Sequence, residues 1–350
     1  MRVPLPNIVL VLATGHEPQS PAPAAHGYVC SACLAGESWA TNLVSLLSSS
    51  VPSHHRVWTG EDKLGIHVDP LAVPLKKAGY RAIFIGHHDS KNLAEQCRFD
   101  DLIILPDGNG SREVTALIER QDARPAFITC VVPAISSQWQ GIAPRLAARG
   151  ESLGIVLLSR LAPPRPLADA VVTDPRDLSS PFTLSLHEGG NRVDAASHIW
   201  SVIDLAPSLL GLLGIKAPYT MVGRDLHQYW LGKPRKAIPF PRDRCLFEHA
   251  DGSKTMWNGR YLLAVHPGQE AGEIFDLCNG ESAARNLWND PQAADIKNCL
   301  LLELLWAQLD KECMPMPRIA GALWPCRDRT SSSSRPTSTT GRYSASTIPR

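Results

Sequence analysis

The sequence has almost no net charge, because 35 Lys and Arg residues are balanced by 34 Asp and Glu residues. A formal net charge of +1 gives no reason to expect nucleic acid or an anionic membrane surface as a partner. No stretch approaches the roughly 20 apolar residues that a membrane-spanning helix needs. The apolar run 7–13 is short and follows the single basic residue Arg2, so we expect no signal peptide and a cytoplasmic protein.

Several well-known catalytic and binding motifs are also absent. The sequence contains no P-loop, no G-x-G-x-x-G and no G-x-S-x-G, so nucleotide binding and serine hydrolysis lack support. Its nine cysteines are an odd number scattered along the chain, which is typical of free thiols. Cys30 and Cys33 form one C-x-x-C, but no second C-x-x-C or suitably spaced histidine pair completes a zinc site. We therefore expect plain thiols there, with zinc binding as the less favoured alternative.

The first half of the chain alternates between strand and helix patterns. Helical patterns lie at residues 69–79, 112–120 and 143–148. Short, almost continuously apolar runs, typical of parallel strands that are covered on both faces, lie at 8–12, 82–85, 102–105, 126–132 and 155–158. This alternation predicts an α/β fold with a mostly parallel central sheet flanked by helices.

The pattern changes after Gly232. Residues 245–248 and 254–263 alternate like antiparallel strands around a turn at Asn258-Gly259, and residues 294–310 form an amphipathic helix pattern. From about Cys326 onward, Ser, Thr, Arg and Pro dominate. We therefore expect an α/β core at 1–235, a small antiparallel sheet plus helix at 236–315, and a disordered tail at 316–350.

The strongest helix signal lies within the stretch 197–233. Asp204 is suited to cap a helix, Pro207 fits the first helical turn, and Gly214 can adopt the positive φ that ends it. This stretch resembles the sulfatase family of the alkaline-phosphatase-like superfamily. The family segment D-L-A-P-T-L-L…G-I…P…G-R-S-L…L…G is matched in order by Asp204, Leu205, Ala206, Pro207, Leu209, Leu210, Gly214, Ile215, Pro218, Gly223, Arg224, Leu226 and Gly232.

The resemblance covers most of residues 5–312 and implies the alkaline-phosphatase-like fold with its C-terminal subdomain. It also implies hydrolysis of sulfate esters, a sulfated small molecule or glycan as the ligand, and a calcium-like cation held by carboxylates. The sequence departs from the family at those carboxylates. The aspartate pair after the first strand is replaced by Thr14 and Gly15, and a later aspartate by Arg160. We therefore expect no metal ligands and no cofactor, with calcium only if the family site is retained.

The family nucleophile, a cysteine in C-x-P-S-R that is converted to formylglycine, has two possible counterparts. Aligning 45–55 with the family's S-L-L-T-G-x-x-P-x-x-H places Trp39 at the nucleophile. Aligning through Cys30 restores a cysteine but requires a nine-residue insertion. Both alignments lose the proline and arginine that mark the cysteine for conversion.

Histidines provide the remaining candidates. The family's G-K-W-H, which contacts the sulfate and the leaving group, is replaced by Gly86-His87-His88-Asp89. A protonated imidazole can donate to an anion, and Asp89 can raise the basicity of His87. The catalytic candidates are therefore Cys30, His87 and Asp89, and the candidates for substrate binding are His55 and His88.

Three hypotheses follow, and whether the protein is an enzyme stays open among them. The leading one is a catalytically impaired sulfatase-like protein with a binding or scaffolding role, because fold alone does not confer activity. The first alternative is an active sulfuric or phosphoric ester hydrolase with a rearranged site. The second is a non-enzymatic interaction protein that uses the C-terminal subdomain and the basic tail.

Overall fold

The computed structural model describes residues 5–15, 28–106, 110–120, 124–135, 139, 142, 155–161, 179–185, 193–194, 199–231, 242–278 and 285–312. They form a large mixed sheet with helices and a separate small antiparallel sheet. This is the predicted fold class. The predicted domain boundaries at 235 and 315 lie in stretches outside the described residues, so they stay predictions.

The central sheet has nine strands in the order β4-β3-β5-β1-β6-β7-β2-β8, with β9 also paired to β2. The neighbours β4, β3, β5, β1 and β6 are parallel, whereas β7 runs antiparallel to both β6 and β2. The five strands predicted from their apolar runs are these five parallel neighbours. The strands span Ile8–Ala13 (β1), Tyr28–Cys33 (β2), Arg81–Gly86 (β3), Asp101–Ile104 (β4), Ala126–Val132 (β5), Ile155–Arg160 (β6), Ser179–Ser185 (β7), Val193–Asp194 (β8) and Trp200–Ser201 (β9).

Apolar side chains cover the sheet on both faces. Along β1, Ile8, Leu10 and Leu12 belong to one buried cluster, and Val9 and Val11 to another. Because successive residues of a strand belong to opposite faces, this division explains why the run is apolar without a break.

Eight α-helices are found among the described residues. They are Trp39–Ser48 (α1), Pro52–His55 (α2), Ala72–Lys77 (α3), Lys91–Gln96 (α4), Ser111–Glu119 (α5), Leu205–Leu212 (α6), His227–Trp230 (α7) and Ala294–Glu312 (α8). The predicted helix at 112–120 is confirmed as α5. The one at 69–79 is the shorter α3, and the one at 143–148 lies outside the described residues.

The helix α6 confirms most of its sequence signals. Pro207 lies in its first turn, and Gly214 follows its last turn with a φ of 69°. The expected role of Asp204 is wrong. Among the described residues, its carboxylate accepts hydrogen bonds from the backbone N–H of Ser201 (3.1 Å) and Arg224 (2.8 Å) rather than from α6. The Asp204 carboxylate therefore closes the capping box of the 3₁₀ turn Val202–Asp204 and binds the Arg224 backbone, and it does not cap α6.

The C-terminal sheet is an antiparallel meander in the order β10-β11-β12-β13. Its strands are Cys245–Glu248, Lys254–Trp257, Tyr261–Val265 and Gly272–Asp276. The predicted turn between β11 and β12 is confirmed, with Gly259 at a φ of 93°. Leu300 and Leu304 of α8 pack on one face of this sheet against Met256, Leu263 and Ile274. The sheet thus has its own small apolar core.

Candidate functional site

The carboxyl ends of the parallel strands form the edge where α/β sheets usually bind ligands. At this edge Thr14 and Gly15 follow β1, and β6 ends with Arg160. Arg160 is paired directly with Ala13, and the N–H of Leu161 donates to the Ala13 carbonyl oxygen at 2.7 Å. The positions that would hold family carboxylates are therefore neighbours, and they hold Thr, Gly and Arg.

The residues after β1 do not fit a hard cation. The backbone N–H and the hydroxyl of Thr14 both donate to the Val132 carbonyl oxygen, at 2.9 and 3.4 Å. The N–H of Gly15 donates to the Pro133 carbonyl oxygen at 2.9 Å, and a Cβ on Gly15 would lie only 2.6 Å from that oxygen. An aspartate at position 15 would therefore require the backbone to move. In the described part of the chain, no three His, Cys, Asp or Glu side chains converge as a metal site.

Neutral hydrogen bonds fix the loop that leads into α1. The Asn42 side-chain oxygen accepts from the N–H of Ala35 (2.8 Å) and Gly36 (3.1 Å). Its amide nitrogen donates to the carbonyl oxygens of Gly36 (2.7 Å) and Leu161 (2.8 Å). Ser38 caps α1 by accepting from the Thr41 N–H at 3.0 Å. These bonds tie the start of α1 to the end of β6, so the beginning of the helix faces the carboxyl edge of the sheet.

Trp39 is the first residue of α1 and stands beside the loop that follows β3. A Cβ placed on Gly60 would lie 3.3 Å from the Asp89 carbonyl oxygen and 3.7 Å from Trp39 Cζ2. The indole ring, Gly60 and the backbone of Asp89 are thus in close proximity. An indole has no oxygen or sulfur nucleophile, so this position fills space and supplies no attacking group.

Cys30 lies inside β2, where it is paired with Phe182 of β7. In the sheet, β2 is five strand positions from β3, after which His87 and Asp89 follow. At an ordinary strand spacing this corresponds to about 24 Å. The structure therefore separates Cys30 from the other two predicted catalytic residues. It also places Cys30 and Cys33 in one strand, where positions three apart belong to opposite faces of a sheet.

His87 and Asp89 do lie together. His87 Nδ1 is 3.4 Å from Asp89 Oδ2, and the two side chains are 46% and 76% exposed. His88, the first residue of the 3₁₀ turn His88–Ser90, is also exposed. A contact of this length between exposed groups contributes little to stability. The three residues form an open polar loop at the carboxyl edge.

His55 has a different environment from the one its predicted role requires, because it is completely buried at the end of α2. Its Nδ1 accepts from the Val57 N–H at 3.0 Å, which leaves the proton on Nε2, and Nε2 donates to Ser45 Oγ at 2.8 Å. Burial lowers the pKa of His55 to about 3; the Glu248 carboxylate opposes this shift and His54 adds to it. Both ring nitrogens are thus engaged inside the core, and a substrate at the surface would not reach them.

Two acidic residues lie where the segments around α1 and α2 meet β10 and the residue after it, and the sequence indicated neither. Glu248 is completely buried and accepts from the Ser53 N–H at 2.7 Å and from Lys254 Nζ at 3.0 Å. Glu37 precedes the cap of α1, and its Oε1 is 2.7 Å from His249 Nδ1. The contact of Glu248 with Ser53 and that of Glu37 with His249 join residues that are far apart in sequence. No local pattern reports such proximity, so the sequence offers no signal for either.

Comparison with protein-family models finds no match to the sequence, and comparison with curated protein sequences also finds none. Solved structures do match. The protein BT4656, in complex with its substrate D-glucosamine-2-N,6-O-disulfate, has a TM-score of 0.71 at 10% identity, covering 88% of this chain and 98% of its own. The 2-O GAG sulfatase BT1596 has a TM-score of 0.65 at 13% identity, covering 88% and 93%.

A third match is a member of the alkaline phosphatase superfamily from Vibrio parahaemolyticus, with a TM-score of 0.62 at 15% identity, covering 88% of both chains. The chain has a sulfatase-like fold. The expected resemblance is confirmed at the level of the fold, and at these identities it extends no further. In the described part of the sulfatase-like chain, no helix is long and apolar enough to cross a membrane.

Proposed function

We propose that this protein is a catalytically impaired member of the sulfatase-like fold that binds a sulfated glycan without hydrolysing it. The observation that carries the proposal is the pairing of Arg160 with Ala13, which puts a cationic residue beside Thr14 and Gly15. A site for a hard divalent cation requires several oxygen ligands, mostly carboxylates, and none of Thr14, Gly15 and Arg160 has one. Among the described residues, no group of ligands is therefore present for the cation that would neutralise a sulfate.

The positions of the two candidate counterparts of the nucleophile support the same proposal. Sulfate-ester cleavage needs an activated oxygen nucleophile close to the group that protonates the leaving oxygen. Here Trp39 begins α1 beside the His87–Asp89 loop, whereas Cys30 lies five strands away from that loop. The parts of an ester hydrolase are thus not assembled at one place among the described residues.

The proposed ligand follows from the residues that remain. Arg160, His87 and His88 are all placed at the carboxyl edge, and guanidinium and imidazolium groups form charge-assisted hydrogen bonds with sulfate oxygens. BT4656 is seen with a disulfated glucosamine, and BT1596 is described as a 2-O GAG sulfatase. A sulfated glycan is therefore the ligand class that we propose. The cytoplasmic location predicted from the sequence stays a prediction.

The proposal is tested with the purified full-length protein. We expect no turnover of an aryl sulfate or an aryl phosphate and no stoichiometric calcium by elemental analysis. We expect saturable binding of D-glucosamine-2-N,6-O-disulfate by titration calorimetry, weakened by salt because charged contacts are screened. Arg160→Ala should weaken this binding about tenfold, as expected for the loss of one charge-assisted contact. Arg124→Ala is the matched control, because Arg124 precedes β5 at the opposite edge of the sheet.

Different results separate the alternatives. Turnover that is abolished by Cys30→Ala, or one calcium ion per chain, would establish a working hydrolase and overturn the proposal. Absence of glycan binding would remove the ligand assignment. A protein partner that is captured only when residues 313–350 are present would support the interaction hypothesis in its place.

A further inference from the structure

Two cysteines that are far apart in sequence meet where the two sheets join. Cys33 is the last residue of β2 and Cys245 is the first residue of β10. Both are thiols, and their exposed fractions are only 4% and 6%. They line the same narrow cleft together with Phe247 and Trp257. The cleft is mostly apolar, and the thiols of Cys33 and Cys245 are its reactive groups.

Backbone contacts bring the segments after β2 and along β10 together. Gly36 and Glu248, which follow Cys33 and Cys245 by three residues each, form an isolated parallel bridge, and the Glu248 N–H donates to the Ala35 carbonyl oxygen at 2.9 Å. Within the central sheet Cys33 is paired with Ser179 on one side and Ser201 on the other, so Cys245 approaches it from outside that sheet. The two side chains line the same cleft, and the Cys33 thiol is a hydrogen-bond partner of the Cys245 thiol. Contact between two thiols is the arrangement from which a disulfide forms.

The surroundings hold the second thiol in place. Cys245 Sγ donates to the Trp200 carbonyl oxygen at 3.2 Å, and Trp200 is itself paired with Ala32, the residue before Cys33. Burial raises the pKa of the Cys245 thiol, and the adjacent Cys33 raises it further, whereas the Arg242 guanidinium opposes both. Cys245 is therefore protonated at neutral pH, which makes its exchange slow without preventing it.

We propose that Cys33 and Cys245 form a reversible disulfide that links the central sheet to the C-terminal sheet. The oxidant is a low-molecular-weight disulfide such as oxidised glutathione. One cysteine thiolate attacks it, releasing one glutathione and forming a mixed disulfide, and the second thiolate then displaces the other glutathione. Two S–H bonds are lost and one S–S bond is gained. The protein loses two electrons, and the glutathione disulfide is reduced to two thiols.

The position of this bond gives it a structural effect. In the reduced chain the junction depends on non-covalent contacts such as that between Ser53 and Glu248. A covalent link adjacent to these contacts would prevent the C-terminal sheet from separating from β2. Because the bond closes a very long loop, it stabilises the fold chiefly by restricting the unfolded chain. The redox state of the surroundings would then set the stability of the junction.

The test uses the folded full-length protein at pH 8, incubated with oxidised glutathione until its disulfide content is constant. Remaining thiols are then alkylated in denaturant, and the digest is analysed by mass spectrometry without reduction. We expect one linked peptide pair that contains Cys33 and Cys245, and its disappearance after reduction. The oxidised protein should melt about 4 °C above the reduced protein, as one disulfide stabilises a chain of this size.

Variants provide the controls. Cys245→Ala should lose both the linked peptides and the rise in melting temperature, whereas Cys278→Ala, which replaces an exposed cysteine after β13, should keep both. The peptide analysis of the unmodified chain remains decisive if Cys245→Ala fails to fold. Full alkylation of Cys33 and Cys245 at equilibrium, or linkage of either one to a different cysteine, would overturn the proposal.

Discussion

Replacement of His55 by glutamine should change how the stability of the protein depends on pH. In the folded chain the His55 pKa is lowered to about 3, mainly by burial, from an unfolded value of 6.5. Folding therefore favours the neutral ring. The associated stability is fully present above pH 6.5 and is lost as the pH falls from about 6.5 towards about 3. Glutamine has no proton to gain in this range, so His55→Gln removes the pH-dependent contribution.

The magnitude follows from the linkage between protonation and folding. Between pH 7.5 and pH 5 the unfolded histidine takes up its proton, whereas the buried ring does not. This difference costs the wild-type protein about 2 kcal/mol of unfolding free energy. At pH 7.5 the variant should be less stable by about 1–2 kcal/mol, because it disturbs the bonds with Ser45 and Val57. At pH 5 the difference should have moved by about 2 kcal/mol in favour of the variant, which should then be as stable as the wild type or slightly more stable.

Urea denaturation followed by circular dichroism at half-unit pH steps measures this difference. His88→Gln is the matched control, since it removes a histidine from the exposed loop after β3 and should give a curve parallel to that of the wild type. Parallel curves for His55→Gln and the wild type from pH 7.5 to 5 would show that the ring is accessible to protons. The core assignment of His55 would then be wrong, and its predicted role in substrate binding would regain support.

Two further substitutions and one control test the ion pair of Asp204 and the carboxyl edge of the sheet. Asp204→Ala should lower the free energy of unfolding in urea by about 3–5 kcal/mol. The completely buried Asp204 forms a bidentate ion pair with Arg242, and the variant leaves the Arg242 charge without this carboxylate. Asp225→Asn, at a half-exposed ion pair, should cost less than about 1 kcal/mol, and equal losses would contradict this account. Gly15→Asp should lower the melting temperature, because its Cβ would meet the Pro133 carbonyl oxygen, and it should not produce calcium binding. Calcium bound by this variant would refute the misfit inferred after β1.

Some features could be predicted because a short stretch of sequence determines them. The parallel strands β1, β3, β4, β5 and β6 are apolar on both faces, so an unbroken apolar run identifies each one. The hairpin at Gly259 and the end of α6 at Gly214 depend on single residues that adopt positive φ. The fold class, the small second sheet and the absence of carboxylates at positions 14, 15 and 160 therefore follow from the sequence itself.

Strand β2 shows where local patterns fail. Tyr28–Cys33 includes a serine and two cysteines, so it has no continuous apolar run, and its C-x-x-C suggests a metal or redox motif. Its strand conformation depends on pairing with β7, which lies far away in sequence. The separation of Cys30 from His87 is consequently a property of strand order. Strand order is set by the packing of the whole sheet and leaves no mark on either residue.

The sequence by itself determined that this chain builds a sulfatase-like α/β sheet and that positions 14, 15 and 160 hold no carboxylate. Only the tertiary structure decided that His55 is buried, that the Asp204 carboxylate binds Arg242 instead of capping α6, and that Cys33 and Cys245 line one cleft. The physical reason is common to all three. Burial and long-range register arise when distant segments pack together, whereas helix ends, turns and apolar runs are determined by neighbouring residues.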